Sequence, residues 1–192
     1  MGMTFYLEEI LHIIISVVTI SVAFSLFRAD FWLILFTLGL GFILHELAHK
    51  YVAQKYGAFA VYRAWTLGLL IALGLAVFTE GRFIFAAPGA VMIYGRHLTH
   101  SQNGKIAVAG SVMNLILSGV FLVVGFANPG AREFAFTGAY INTFLAAFNM
   151  IPIYPLDGQK VQLWSQTVWL AVTLLSWALL FGFMFGFFSF GN

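Results

Sequence analysis

Long apolar stretches, broken by short polar or Gly/Pro-containing segments, set the pattern of this chain. Residues 10–27 form an apolar run close to the ~20 residues that a helix needs to cross a bilayer. Arg28-Ala29-Asp30 is a short connection. Residues 31–56 predict a second spanning helix, with Gly57 at a suitable C′ position. Residues 65–78 are apolar but only 14 in number, short for a span. Glu80-Gly81-Arg82 breaks that run, and residues 82–95 alternate loosely around the turn signal Pro88-Gly89. The region 65–95 therefore reads as re-entrant or as a β-hairpin, backbone that survives at membrane depth only against protein or a water-filled cavity.

Residues 96–105 are the most polar loop, and 106–126 predict a helix in which Gly110 and Gly119 offer close packing and Asn114 an inward polar group. Pro129-Gly130 reverses the chain before a helix over 134–150, which carries Gly138, Asn142 and Asn149. Pro152 and Pro155 stop that helix and hold the next backbone extended, so Asp157 is expected on a kinked polar segment. A last helix is expected over 163–190. The predicted fold is an all-α polytopic membrane protein. It has about five transmembrane helices and a re-entrant or β-hairpin region, about 65–95, packed beside the site described next. Residues 1–192 are expected to form one transmembrane domain with its core at 31–160.

Composition agrees with that reading. The 192 residues are 61% hydrophobic and 8% charged, against roughly 25% charged in a soluble domain. The net charge of +2 is too small to argue for nucleic acid. Without cysteine, any metal site must use nitrogen and oxygen ligands. Residues 1–10 lack the basic start of a cleaved signal peptide, so the first apolar segment is expected to be retained.

Candidate chemistry lies in Phe42-Ile43-Leu44-His45-Glu46-Leu47-Ala48-His49, where an H-E-x-x-H sequence falls inside the second apolar run. On a helix, His45 and His49 share a face and both imidazoles reach one ion, while Glu46 is placed as general base for an attacking water. Glu46 is the one acidic residue within a long apolar run, and ionisable groups at membrane depth are costly enough to point to function. His45 lies roughly 21 Å along the helix from Phe31, past the midplane, with Lys50 and Lys55 marking the interface. If the helix exits there, that side collects Lys50, Lys55, Arg63, Arg82, Arg96, Lys105 and Lys160, leaving Arg28 and Arg132 opposite. The bias puts the motif end in the cytoplasm, provided 65–95 leaves and returns on one side, and it brings Asp157 to the motif's side as a possible oxygen ligand. Two His, one carboxylate and an open position make a catalytic zinc shell. His12 reads as a headgroup-level histidine, and His97 and His100 as solvated loop histidines.

With His45-Glu46-Leu47-Ala48-His49 and Asn149-x-x-Pro152-x-x-Pro155-Leu156-Asp157-Gly158 both present, the chain resembles the site-2 proteases, intramembrane zinc metalloproteases that cut membrane-embedded segments of other proteins. The similarity covers most of residues 31–160, including Ala109-Gly110-Ser111 and Asn114. The resemblance implies that His45, His49 and Asp157 hold one zinc ion per chain and that Glu46 is the catalytic acid/base. It implies that Asn149 helps hold the substrate carbonyl or oxyanion, and that the stretch 82–95 receives an extended substrate by strand addition. The segment 65–78 is longer than the family pattern, and Ser111 stands where the family often has proline. No PDZ or nucleotide-sensing domain is attached, so the substrate-selecting apparatus is expected to be missing or to lie in a separate adaptor or regulatory protein. The expected partners are a transmembrane protein substrate and the lipid bilayer, with no nucleic acid. The expected location is the cell membrane, multi-pass, with the active-site end towards the cytoplasm. The alternatives are an inactive family member acting as a membrane scaffold and a metal-binding transporter. The transporter predicts further intramembrane carboxylates or histidines in a chain.

Overall fold

Asp30 sets the start of the helix that carries the H-E-x-x-H sequence: its carboxylate accepts from the Leu33 amide at 2.9 Å, satisfying one orphan donor of the first turn. In the computed structural model, residues 3–27, 30–82, 88–94 and 98–188 are described, and the chain divides into two compact units, Met1–Arg96 and His97–Asn192. The first unit contains α1 (Leu7–Ser25), α2 (Phe31–Lys55), β1 (Phe59–Ala64), α3 (Thr66–Phe78) and β2 (Gly89–Tyr94). The second contains α4 (His100–Ala127), α5 (Arg132–Asn149), α6 (Asp157–Trp164) and α7 (Gln166–Met184).

The α2 helix is interrupted by a π-helical turn at Leu35–Gly39, where the Thr37 hydroxyl donates to the Leu33 carbonyl at 2.6 Å. One extra residue in a turn rotates the following face by about 100°. Here the turn packs on α1, and a Cβ at Gly39 would lie 2.9 Å from Val17 Cγ1, so α1 and α2 approach closely at this point. The helix ends at Gly57, φ +75°, whose amide donates to Gln54 O at 2.9 Å; the C′ glycine is where the sequence puts it.

α1 begins three residues before the expected start and encloses Glu8 and Glu9 in its first turn. The expected hairpin is also redrawn. Its strands are β1 and β2, paired antiparallel from Phe59↔Tyr94 to Ala64↔Gly89, with α3 inserted between them. β1 had no place in the sequence reading, and the strand expected within 82–95 narrows to Gly89–Tyr94, with residues 83–87 and 95 outside the described residues. The 13 residues of α3 rise only about 20 Å, less than the ~30 Å hydrocarbon core, and the helix packs against α1.

In the second unit, His100 lies in the first turn of α4 rather than in a loop. Thr99 and Gln102 form a reciprocal capping box that starts the helix there; His97 lies outside the described residues. α4 and α5 are joined by buried polar contacts: Asn114 Nδ2 donates to Asn142 Oδ1 at 2.9 Å, and Ser118 Oγ lies 2.7 Å from Thr143 Oγ1. Close packing is found at Gly125 and Gly138, where an added Cβ would lie 2.7 Å and 2.8 Å from phenyl carbons, whereas Gly119 faces open space within 4 Å. The expected last helix over 163–190 begins at Gln166 as α7, and the unforeseen helix α6 precedes it; the two are broken at Ser165, whose hydroxyl caps α7 by accepting from Val168 N.

Among the described residues, four helices, α1, α2, α4 and α7, are long and apolar enough to cross a membrane. Those lengths and compositions are consistent with a membrane protein.

Candidate metal centre

His45, Glu46 and His49 occupy the regular part of α2, six to ten residues past the π turn. All three are buried, at 5%, 8% and 7% exposure. The spacing of four residues stacks the two histidines on one face, with ring centroids 4.6 Å apart and planes at 83°. Their Nε2 atoms converge to 3.0 Å. Two imidazole nitrogens on one tetrahedral zinc ion, each about 2.0–2.1 Å away, stand about 3.3–3.4 Å apart. The pair therefore fits a zinc ion with a shift of a few tenths of an ångström, and a neutral imidazole is the donor that zinc takes. Glu46, between them in sequence, is carried by the same turn.

The surroundings of this turn were not foreseen. Lys50, expected to mark the membrane interface, is buried and paired with both carboxylate oxygens of Glu9 on α1. A charge can be that deep because its partner is equally buried and is further satisfied by a backbone amide. That amide is Tyr62 N on β1, 2.9 Å from Glu9 Oε1. Glu46 is thus not alone among acidic groups within an apolar helix. His12, one turn on, accepts from Ala64 N at 3.2 Å, and Ser16 accepts from the Tyr62 hydroxyl at 2.9 Å while donating to Pro88 O at 3.2 Å. Glu9, His12 and Ser16 stand at i, i+3 and i+7, one polar stripe on an apolar helix, and that spacing was the available signal. Burial pushes the Tyr62 phenol well above its ordinary value, an effect opposed by the Ser16 bond and reinforced by the Glu46 carboxylate. Tyr62 stacks edge-on to Phe42 of α2 with ring centroids 5.7 Å apart.

The same bonds decide which edge of the sheet is covered. Tyr62 N and Ala64 N point to α1, so residues 60, 62 and 64 turn their amides away from β2. Their partners Ile93, Val91 and Gly89 then turn their own backbone groups away from β1. Among the described residues, no backbone group bonds to that outer edge of β2. β1 and β2 both pack against α2.

In the second unit, Asp157 is the first residue of α6, not part of an irregular segment. Leu156 is extended, and the helix turns in directly after it, where a carboxylate is favoured by the helix dipole. Gly158 permits this: a Cβ there would lie 2.2 Å from Met150 O. Lys160, one turn on, donates to Asp157 Oδ1 at 3.1 Å. Asn149 ends α5, with Nδ2 donating to Leu145 O at 3.0 Å.

A Methanocaldococcus jannaschii protein named "Putative zinc metalloprotease MJ0611" is 43% identical over 173 residues, 87% of this chain and 90% of its own length. The chain belongs to this family of zinc metalloproteases. Two more distant relatives carry matching names. "Zinc metalloprotease MJ0392", also from Methanocaldococcus jannaschii, is 28% identical over 135 residues, 68% of this chain and 34% of its own. "Putative zinc metalloprotease YwhC" of Bacillus subtilis is 30% identical over 142 residues, 65% of each chain. No family model matches the chain, and no solved structure matches it significantly. The relatives' names and the converging His45 and His49 imidazoles support zinc binding.

Proposed function

We propose that this metalloprotease is an intramembrane peptidase of the site-2 type, with one zinc ion on His45 and His49 and with Asp157 as the third ligand that the motif resemblance implies. The observation that carries the reading is the convergence of the His45 and His49 Nε2 atoms, with Glu46 beside them, inside a helix apolar and long enough to span a bilayer. Two neutral imidazoles and one carboxylate leave a coordination position open, the composition of a catalytic site rather than a structural one.

When bound, zinc supplies Lewis-acid polarisation of the peptide carbonyl and acidifies the attacking water. Glu46 takes the water's proton on a carboxylate oxygen and returns it to the leaving amine nitrogen. Asn149 has a second N–H besides the one given to Leu145 O, and that N–H is the donor for the oxyanion. The outer edge of β2 receives the substrate as an added strand. Val91 and Ile93 offer it their N–H and C=O groups, which accounts for a peptide bond being presented in extended form inside a membrane. The substrate class is thus a transmembrane segment of another protein, reached from the cytoplasmic side.

The deciding experiment places the purified chain and a model transmembrane substrate in the same proteoliposomes, beside Glu46→Gln, and measures zinc and cleavage together. Zinc retained in both, with cutting confined to the parent, is the expected result. Zinc without cutting in the parent would leave a scaffold, and equal cutting by Glu46→Gln would sink the proton-transfer role.

A further inference from the structure

We propose that Glu9 is a positioning residue for the proteolytic reaction, holding the active-site helix and the peptide-receiving sheet in one register; this rests on the reading of β2 as the strand that takes the substrate. Glu9 and Lys50 are 2% and 1% exposed. The Glu9 carboxylate takes the Lys50 ammonium on both oxygens and the Tyr62 amide on Oε1. Lys50 directly follows His49 and stands one turn past Glu46 on the same face of α2. Tyr62 is the register partner of Val91. One side chain therefore joins the turn bearing the catalytic groups to the backbone opposite the substrate edge.

The neighbouring polar residues of α1 do less. His12 and Ser16 bond to the sheet and its flanking turn, and Glu8 pairs with Arg63 of β1. Among the described polar side chains of α1, Glu9 alone bonds to both the sheet and α2. Replacing a buried ion pair by well-packed apolar residues of similar volume is often neutral or stabilising, and in some proteins such a pair serves instead to fix a single register. Misplacing a scissile bond by about an ångström costs up to about a hundredfold in rate, so register here has a catalytic consequence.

The test compares the full chain with Glu9→Leu/Lys50→Met and with Glu9→Gln in lipid, reading unfolding midpoint, zinc content, kcat, KM and the bond cut. The double variant is expected to keep its midpoint and its zinc, to lose about tenfold to a hundredfold in kcat/KM, and to spread its cuts over neighbouring bonds. If the double variant does not fold, Glu9→Gln is read in its place. It keeps the volume and an acceptor for the Tyr62 amide but not the charge, and is expected to retain zinc with lowered kcat/KM. A folded, zinc-loaded variant that cuts the parental bond at the parental rate overturns the proposal, as does failure of both variants to fold, which makes the pair purely structural. A parent that cuts no transmembrane substrate overturns the protease reading itself, and the positioning role with it.

Discussion

Each group at the proposed centre is held by something specific. The helix stacks the imidazoles of His45 and His49, so His49→Ala is expected to remove zinc while the helix persists, checked by metal analysis of the purified protein. Glu46→Gln should retain zinc and lower cleavage by about 10²–10⁴-fold, the usual weight of one general acid/base; a smaller loss would mean that another group moves the proton. Tyr62 gives a pH prediction. Its phenol is neutral in the fold and its folded pKa lies above the ordinary 10.0, so the folded state holds this proton more tightly than the unfolded chain does. The stabilisation is complete below about pH 10 and is lost as pH rises towards the folded value. Tyrosinate absorbance that lags one phenol behind full titration, with loss of that lag in Tyr62→Phe, is the expected signature. Of these residues, the H-E-x-x-H triplet was legible because a helical repeat alone decides which side chains share a face. Lys50 was not: nothing local distinguishes a lysine that reaches a headgroup from one that finds Glu9, 41 positions earlier.

At the scale of elements, the sheet is the part whose function depends on pairing. Val91→Pro removes an amide that points away from β1, so it should leave the β1–β2 ladder intact and weaken substrate capture, seen as KM raised about tenfold at unchanged zinc content. Met92→Pro strikes an amide that points into β1 and should instead destabilise the fold. If the two variants behave alike, the edge assignment is wrong. α6 gives a second element-level prediction. Gly158→Ala puts a methyl 2.2 Å from Met150 O and should cost about 1–3 kcal/mol, visible as a lowered thermal midpoint. β1 escaped sequence reading because Phe59–Ala64 has no bounding turn of its own after it and its partner strand lies some 30 positions downstream, beyond α3. α6 escaped because two prolines argue for irregular backbone, while the helix starts at Asp157 directly behind them, with Gly158 close against the Met150 carbonyl.

For the molecule as a whole, chelation should abolish cutting and one equivalent of zinc should restore it, with the protein remaining in the membrane pellet after an alkaline wash throughout. Restoration that needs more than one equivalent would argue against a single ion per chain. Segments long and apolar enough to cross a membrane, helical character and the shared face of His45 and His49 were legible in the sequence, because they depend on segment length, on apolar content and on spacing within one helix. The π turn in α2, the two strands, the buried Glu9–Lys50 pair and the covered edge of β1 were decided only by tertiary structure. Each of those depends on which distant groups satisfy buried backbone amides and charges. In a chain with so few polar residues, that partner choice is made by packing, not by any local preference along the sequence.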